Sequence, residues 1–237
     1  MNVTVLTGAG ISTESGIPDY RGPKGLWTAD PDYEKLVTID YYLADPGIRR
    51  RSWEFRRAGP ALTAEPNAGH LALVELERAG LLDRLITQNV DGLHQKAGND
   101  PARVLELHGN MFGVRCLGCD ARSTLRETLE RIDAGEDDPA CLACGGILKT
   151  TTVMFGEHLD HDVISAAVSA TRRADLFLAV GTSLQVHPAA ALAGMARRLV
   201  IVNDQPTPYD AGAERVVREP IGVALPALVK ELIHEAR

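Results

Sequence analysis

The chain has 237 residues, of which 45% are hydrophobic, and it carries a formal net charge of −7. This length allows one sizeable core with a small additional module, and the negative charge argues against a nucleic-acid or membrane surface, which needs clustered Lys and Arg. No apolar run reaches the roughly 20 residues of a membrane span, and no signal peptide is recognisable. We therefore expect a cytoplasmic protein without nucleic-acid or membrane partners.

Predicted strands and helices alternate along most of the chain. Strands are predicted from apolar and β-branched runs at 2–7, 85–87, 104–107, 175–181 and 199–203. Helices are predicted from Pro66-Asn67 to Gly80 and at 162–172, 188–198 and 222–235. Two segments interrupt the alternation: 30–58 has helical spacing without a clear strand, and 112–152 contains the cysteines. The alternation is typical of a doubly wound α/β fold with a parallel sheet.

The first strand runs directly into a glycine-containing loop, TGAGISTESGIPDYRG at 7–22. Gly8 and Gly10 match the first two glycines of the dinucleotide-binding fingerprint, whereas threonine stands at its third glycine position. Further along, Pro18 precedes the acid, aromatic ring and guanidinium of 19–21, a combination that suits a loop closing over a ligand. An ordinary surface loop is the alternative.

Four strand ends carry small or polar residues, a pattern that indicates a ligand site, because ligands of such sheets bind outside the carboxyl ends of the strands. Asn89 and Asp91 offer an amide and a carboxylate that suit ribose hydroxyls and a carboxamide, although such residues more commonly cap the following helix. The four groups are Gly8-Ala9-Gly10, Gln88-Asn89, Gly181-Thr182-Ser183 and Asn203-Asp204.

Two histidines are candidates for a general base, because imidazole exchanges its proton near neutral pH. His108 stands at the end of a predicted strand, and His94 follows the polar group at 88–91. A structural role is the alternative for either one, since the chain has 7 histidines.

The four cysteines form two C-x-x-C pairs with 21 residues between them. Each pair lets two thiolates reach one ion from a tight turn, and two pairs complete a tetrahedral zinc site. Since the protein fills all four positions, the zinc is predicted to be structural. The alternatives are buried or redox-active cysteines and a nucleic-acid-binding ribbon, and the acidic segment ETLERIDAGEDD at 127–138 disfavours the ribbon.

Taken together, these motifs resemble the sirtuins, a family of NAD-dependent protein lysine deacylases, and in particular its bacterial members. The matching segments are GAGISTESGIPDYRG, GLW at 25–27, TQNVDGLHQKAG, LELHG, the two C-x-x-C pairs, VMFGE at 153–157, GTSLQVHPAA and VND at 202–204. They occur in the order found in the family and span nearly the whole chain.

The resemblance implies a fold with two domains. A Rossmann-like NAD-binding domain would comprise 1–29, 65–110 and 154–237. A small domain would be built from a helical insertion, 30–64, and a zinc-binding module, 111–153. NAD and the acyl-lysine peptide would meet in the cleft between them.

The resemblance also implies roles for individual residues. His108, Asn89 and Asp91 would be catalytic, with His108 as the general base. NAD would be bound by Gly8, Ala9, Gly10, Asp19, Tyr20, Arg21, Trp27, Gln88, Asn89, Asp91, Gly181, Thr182, Ser183, Asn203 and Asp204. The backbone of an acetylated-lysine substrate would pair as an added strand with Val153, Phe155, Gly156 and Glu157, and one structural zinc would be held by Cys116, Cys119, Cys141 and Cys144.

In the reaction of the family, NAD is consumed rather than used as a hydride carrier. The acyl oxygen attacks the ribose carbon that carries nicotinamide, nicotinamide leaves, and an alkylimidate forms. His108 would then help to deprotonate a ribose hydroxyl, which attacks the imidate. Water completes the release of lysine and an acylated ADP-ribose.

The sequence departs from the family pattern at four places. Tyr20 replaces the usual phenylalanine but keeps the ring, and Thr150 replaces a usual proline. The segment 189–203 is several residues shorter than in relatives, through either a truncated turn or a missing loop. The Tyr-x-x-Arg of members that remove succinyl or malonyl groups does not occur in the first insertion, where 49–60 reads RRRSWEFRRAGP, so neutral acyl groups, acetyl above all, are the expected substrates.

Four other activities are alternatives to deacetylation. A deacylase preferring longer neutral acyl groups and a mono-ADP-ribosyltransferase would use the same site. A non-catalytic NAD sensor is disfavoured because His108, Asn89 and Asp91 occur together. A dehydrogenase is disfavoured because no second strand about 20 residues after Gly10 supplies the ribose-binding acid.

Overall fold

The computed structural model describes residues 1–20, 22, 25–26, 30 and 32–236, and the chain divides into two compact units. The first unit comprises Met1–Asp19, Ala64–Leu107 and Leu159–Arg237, and the second comprises Tyr20–Thr63 and His108–His158. His108 and the segment 153–157 therefore belong to the second unit. The assignment of 1–29, 65–110 and 154–237 to one functional domain stays a prediction.

The secondary structure is numbered in chain order through both units. The strands are β1 (Val3–Thr7), β2 (Leu82–Thr87), β3 (Val104–Glu106), β4 (Gly113–Cys116), β5 (Arg122–Thr124), β6 (Leu148–Thr150), β7 (Leu176–Val180), β8 (Leu199–Val202) and β9 (Arg215–Val217). The α-helices are α1 (Tyr33–Leu36), α2 (Ile39–Ala44), α3 (Pro46–Ala58), α4 (Ala68–Arg78), α5 (Leu93–Ala97), α6 (Leu125–Asp133), α7 (His161–Arg173) and α8 (Ile221–Glu235). Among the helices in the described ranges, none has both the length and the apolar character needed to cross a membrane.

The first unit is built on a parallel sheet whose six described strands run in the order β3-β2-β1-β7-β8-β9. β1 lies at the centre, with Val5 paired to Leu85 of β2 on one side and to Leu178 of β7 on the other. This is the strand order of dinucleotide-binding folds, in which the direction of winding reverses beside the first strand. The predicted α/β fold is therefore confirmed.

Each face of this sheet has its own hydrophobic core, because successive side chains of a strand point to opposite faces. On one face Val5 of β1 packs in a cluster with Leu73 of α4 and Leu225 of α8. On the other face Leu6 packs in a cluster with Ala167 of α7. Helices on both faces bury all five residues of β7, which explains why that strand reads as a continuous apolar run.

The start of α4 is fixed by Asn67, as the sequence predicts. Its side-chain oxygen accepts the N–H of Gly69 at 2.9 Å. Its side-chain nitrogen donates to Ile11 O at 2.8 Å and to Ser15 Oγ at 2.9 Å. One residue therefore caps a helix and also ties it to the glycine loop after β1.

Two elements between 188 and 217 differ from the prediction. The predicted helix at 188–198 is a 3₁₀ helix over Ala189–Met195, and β8 follows it almost at once. A 3₁₀ helix rises about 2.0 Å per residue against about 1.5 Å in an α-helix, so this form spans the short connection with fewer residues. The strand β9 was not predicted, because three residues at a sheet edge carry too little periodicity.

The second unit combines the helical insertion with the cysteine-containing segment. Its sheet is antiparallel, in the order β5-β4-β6. Tyr42 of α2 donates its hydroxyl hydrogen to Leu148 O at 2.8 Å, and Arg49 of α3 donates to Asp138 at 2.8 Å. With Trp53 of α3 also buried, helices and cysteine segment form one body, as the predicted fold class requires.

Candidate functional site

The glycine loop lies at the carboxyl end of β1. After Gly8 the chain forms a 3₁₀ helix over Ala9–Ser15, and Gly16 ends it with a φ of 85°. A Cβ on Gly8 or Gly10 would lie 2.8 Å from atoms of Gly181, and the N–H of Gly10 donates to Gly181 O at 2.8 Å. The close approach of the loops that follow β1 and β7 is therefore the first reason why both positions are glycine.

Polar side chains from the ends of β1 and β2 form one hydrogen-bonded group, which we call the strand-end group: Ser12, Asn89 and Asp91. Ser12 Oγ donates to Asp91 Oδ2 at 2.7 Å. Asn89 Nδ2 donates to Ser12 Oγ at 3.2 Å and to Gly8 O at 3.1 Å. Ser12 is not among the site residues predicted from the sequence, since a serine in a polar loop has no distinguishing spacing.

Asp91 also caps a helix, which was the structural alternative to a role in ligand binding. Its second carboxylate oxygen, Oδ1, accepts the N–H of Leu93 at 3.0 Å, at the start of α5. Asp91 therefore caps a helix and belongs to the strand-end group at the same time. Its side chain is largely buried, so both carboxylate oxygens are held in fixed positions.

The end of β7 lies beside Gln88. Gln88 Nε2 donates to Thr182 Oγ1 at 2.9 Å, and Thr182 Oγ1 also accepts the N–H of Leu184 at 3.3 Å. Gly181 has a φ of 61°, and Ser183 is half-buried next to Thr182. The structure thus joins two of the predicted strand ends by a direct side-chain contact.

The end of β8 is organised more locally. Asn203 Nδ2 donates to Gln205 O at 2.8 Å, and Arg218 donates to the main-chain oxygen of Asn203 at 2.7 Å. Asn203 is buried, whereas Asp204 is exposed. At this strand end Asn203 shapes the turn, and Asp204 is the residue open to a ligand.

The predicted lid residues 19–21 and Trp27 are only partly described. Asp19 is half-buried in the first unit, and Tyr20 begins the second. The Tyr20 ring lies 6.2 Å from the Tyr33 ring, centroid to centroid. Arg21 and Trp27 lie outside the described residues.

His108 lies two residues after the end of β3. Its predecessor Leu107 donates its N–H to Thr87 O at 2.9 Å, and the main-chain oxygen of His108 accepts the N–H of Val153 at 2.7 Å. Gly109 has a φ of 68°, and a Cβ there would lie 2.1 Å from Thr151 O. The main chain around His108 is therefore closely constrained, and its side chain is half-buried.

The rival base, His94, is fully buried. Its Nε2 lies 2.9 Å from Thr7 Oγ1, and burial lowers its pKa to about 3. A general base must reach the proton that it removes and needs a pKa near the working pH. Both requirements exclude His94 from that role.

The segment 153–157, predicted to bind substrate, is fixed from two sides within the second unit. Phe155 donates its N–H to Val37 O at 2.8 Å and accepts that of Ile39 at 2.9 Å. Since both main-chain groups of Phe155 are used, an added strand has to pair with other groups of the segment. Gly156, with a φ of 91°, turns the chain there.

Glu157 has a structural task within this segment. Its Oε2 accepts the N–H of Met154 at 2.8 Å and lies 2.9 Å from the buried Lys149 Nζ. Arg115 lies 3.4 Å from the other carboxylate oxygen. Burial lowers the pKa of Lys149, and the bond to Glu157 opposes that change. The carboxylate of Glu157 therefore stabilises the loop, and only its main chain is a candidate for contact with a peptide.

The four cysteines converge in the second unit. Their sulfur atoms lie within 4.8 Å of one another, with 3.4 Å between Cys116 and Cys144 and 3.7 Å between Cys119 and Cys141. A tetrahedral zinc with bonds of about 2.3 Å has its sulfur ligands about 3.8 Å apart. Backbone N–H groups, that of Cys119 first, lower the pKa of Cys116 to about 6, whereas the neighbouring thiols raise the pKa of Cys144. The donor set therefore fits a zinc ion.

Comparison with known proteins agrees with the motifs. The profile of the Sir2 family matches residues 8–188. An NAD-dependent protein deacetylase 2 of Streptomyces coelicolor is 59% identical over 97% of this chain and 97% of its own length. An NAD-dependent protein deacetylase of Sulfurisphaera tokodaii is 45% identical over 94% of this chain and 88% of its own.

Solved structures of Sir2 enzymes are also similar. One has a TM-score of 0.89 at 39% identity and covers 100% of this chain and 94% of its own. Another, a Sir2 protein with a deacetylated peptide and 3′-O-acetyl ADP-ribose, has a TM-score of 0.88 at 34% identity and covers 99% of this chain and 93% of its own. The resemblance seen in the sequence is confirmed, and the chain belongs to the Sir2 family.

Proposed function

We propose that the protein is an NAD-dependent protein-lysine deacetylase. It transfers the acetyl group of an acetylated lysine to ADP-ribose and releases nicotinamide. The observation that carries the proposal is the strand-end group of Ser12, Asn89 and Asp91 beside the glycine loop, at the edge where ligands of such sheets bind. The names of the relatives and a neighbour that holds an acetyl ADP-ribose support it.

The first unit supplies most of the contacts proposed for NAD. Asn89 and Asp91 hold the nicotinamide ribose and the carboxamide, because an amide and a carboxylate together offer donors and acceptors to both. The loops after β7 and β8 hold the adenosine half. The full set proposed for NAD is Gly8, Ala9, Gly10, Asp19, Tyr20, Arg21, Trp27, Gln88, Asn89, Asp91, Gly181, Thr182, Ser183, Asn203 and Asp204.

His108 is the proposed general base of the reaction. It removes the proton of a ribose hydroxyl, so that this oxygen attacks the carbon of the acyl group after nicotinamide has left. Its constrained main chain limits the directions in which the ring can point. Water then enters the acyl carbon, and free lysine and acetyl ADP-ribose are the products.

The peptide is proposed to bind as an added strand along 153–157. The engaged main chain of Phe155 leaves this role to Val153, Gly156 and Glu157. The exposed ring of Phe155, with 42% of its surface accessible, then contacts peptide side chains rather than its backbone.

Cys116, Cys119, Cys141 and Cys144 are proposed to hold one structural zinc. When bound, the ion cross-links the two turns and supplies folding free energy to the second unit. With four protein ligands no coordination position remains for a substrate. The zinc therefore has no part in the acyl transfer.

The proposal is tested by an NAD-dependent assay on matched acetyl-, propionyl- and succinyl-lysine peptides, read by mass spectrometry. We expect NAD-dependent loss of the acetyl group, with nicotinamide and acetyl ADP-ribose in equal amounts. An unmodified lysine peptide is the control. ADP-ribose attached to protein without acyl loss would instead support the ADP-ribosyltransferase. More efficient desuccinylation than deacetylation would overturn the acyl preference.

A cytoplasmic location is part of the proposal. Its support is that a C-x-x-C quartet used for metal, rather than for disulfides, suits a reducing compartment. That the protein binds no nucleic acid stays a prediction from its charge.

A further inference from the structure

Two buried histidines lie next to the strand-end group of the first unit. His94 belongs to α5 and His70 to α4, and their ring centroids are 5.0 Å apart. Burial lowers the pKa of His94 to about 3 and that of His70 to about 4. Both rings are therefore neutral at physiological pH, and the partners of a neutral imidazole decide which nitrogen carries its hydrogen.

The hydroxyl groups beside His94 fix its tautomer. Thr7 Oγ1 donates to Thr87 Oγ1 at 2.9 Å and lies 2.9 Å from His94 Nε2. Since a hydroxyl has one hydrogen to donate, Thr7 must accept on the side of His94. His94 therefore carries its hydrogen on Nε2 and donates it to Thr7.

The hydrogen bonds run from His94 through Thr7 to Thr87 and reach the strand-end group. Thr87 Oγ1 accepts, besides the Thr7 hydroxyl, the main-chain N–H of Asn89 at 3.1 Å. Thr7 and Thr87 are the last residues of β1 and β2 and are partners in the sheet. His94 is therefore hydrogen-bonded to the end of β1, at the point where β1 and β2 lead into the loops that carry the strand-end group.

His70 extends the chain in the other direction. Its Nδ1 accepts the N–H of Asn67 at 3.3 Å, so its hydrogen is on Nε2. In the described part of the chain, His70 Nε2 and His94 Nδ1 have no hydrogen-bond partner. The first is a donor and the second an acceptor, so one water between them would satisfy both.

We propose that His94 is a positioning residue for NAD. As the Nε2–H tautomer, it fixes the main chain at Asn89 through Thr7 and Thr87. This in turn positions the amide of Asn89 and the carboxylate of Asp91, which receive the nicotinamide ribose. The inference rests on the proposed function for the identity of the ligand. The direction of the hydrogen bonds rests on the contacts alone.

The first test compares His94→Gln with His94→Leu. The Gln amide can donate from nearly the position of Nε2, whereas Leu fills the space without a donor. We expect kcat/KM for NAD to stay within about threefold in His94→Gln and to fall at least about tenfold in His94→Leu, the effect of one lost buried hydrogen bond. The affinity for the acetylated peptide measured without NAD stays unchanged in both. Equal losses in the two variants would overturn the proposal.

The second test asks whether His94 acts through Thr7. Thr7→Val removes the hydroxyl and Thr7→Ser keeps it, so only the first should lower kcat/KM for NAD. In the double variant of His94→Leu and Thr7→Val the losses should not add, because both changes break the same chain. Additive losses would show that His94 contributes by packing alone. These smaller changes at Thr7 keep the test decisive if His94→Leu does not fold.

The third test needs no activity and separates this inference from the proposed function. Side-chain nitrogen NMR of the full chain reports which ring nitrogen carries the hydrogen. We expect His94 as the Nε2–H tautomer in the wild type and a changed His94 signal in Thr7→Val. A hydrogen on Nδ1 would overturn the inference even if the protein deacetylates peptides. A wild type without deacetylase activity would overturn the proposed function and leave the tautomer result standing.

Discussion

The strand-end group of the first unit and the cysteine cluster of the second are held together in different ways. In the strand-end group each donor meets an acceptor, as Ser12 does with Asp91 and Asn89 with Gly8. In the cysteine cluster four sulfur atoms converge within 4.8 Å, and four thiolates so close repel one another without a cation. We therefore expect that loss of one residue of the strand-end group lowers activity, whereas loss of one cysteine unfolds part of the second unit.

The largest effect is expected from Cys116→Ser. It should abolish zinc binding and unfold β4–β6, because metal binding contributes about 10 kcal/mol or more to the folding of such modules. Zinc per chain is measured by elemental analysis and local unfolding by limited proteolysis. Leu142→Ala is the matched control, since Leu142 lies between two ligands but is 87% exposed. Full zinc content in Cys116→Ser would show that Cys116 is not a zinc ligand.

Within the second unit, His108→Ala should separate chemistry from structure. We expect deacetylation to fall by about 10²- to 10⁴-fold, the usual contribution of a general base. Zinc content should not change, since the bond of His108 to Val153 is made by its main chain. Exchange of labelled nicotinamide into NAD should persist, because it precedes the step assigned to His108. His234→Ala, at an exposed position, is the control, and normal turnover by His108→Ala would remove the assigned role.

In the first unit, Ser12→Ala should lower activity with little effect on stability. The change removes a hydrogen bond to a largely buried carboxylate, so kcat/KM for NAD should fall about tenfold or more. The melting temperature should fall by only a few degrees. Thr13→Ala is the neighbouring control, because the exposed side chain of Thr13 bonds only to Gly10 O among the described residues. A loss of zinc in Ser12→Ala would contradict the separation of the two regions.

The smallest effect is a pH dependence of stability in the first unit. The folded-state pKa values of His70 and His94, about 4 and about 3, lie below the unfolded value of about 6.5. The unfolded state therefore binds more protons below pH 6.5, and the free energy of unfolding should fall as pH decreases from there, by at most about 1.4 kcal/mol per pH unit for each histidine.

Urea unfolding between pH 7 and 5 measures how much the free energy of unfolding changes per pH unit. In His94→Gln this change should be smaller by the contribution of one histidine. An unchanged slope would show that other groups cause it.

Much of the fold could be predicted from local patterns. The five predicted strands of the first unit occur, since the apolar runs at 2–7 and 175–181 need no partner to be recognised. β9 and the 3₁₀ helix at Ala189–Met195 were not predicted, because the first is too short and the second follows from the length of its connection.

Most residues of the candidate site could be predicted from the sequence, but the contacts between them could not. The positions of Asn89 and Asp91 at a strand end were sufficient to select them. Ser12 was missed because its partner Asp91 is 79 residues away, and no spacing in the sequence connects the two. The roles assigned to these residues stay predictions until NAD binding is measured.

The sequence by itself determined what depends on neighbouring residues: the periodicity of the strands, the cap at Asn67 and the two C-x-x-C pairs. Only the tertiary structure decided what depends on residues distant in the chain. It shows that Gly8 and Gly10 are glycines because Gly181 packs against them, and that His94 Nε2 lies 2.9 Å from Thr7 Oγ1 although the two residues are 87 positions apart. The physical reason is that spacing fixes which groups share a turn or a strand face, whereas hydrogen-bond direction and close packing are set only when separate strands meet.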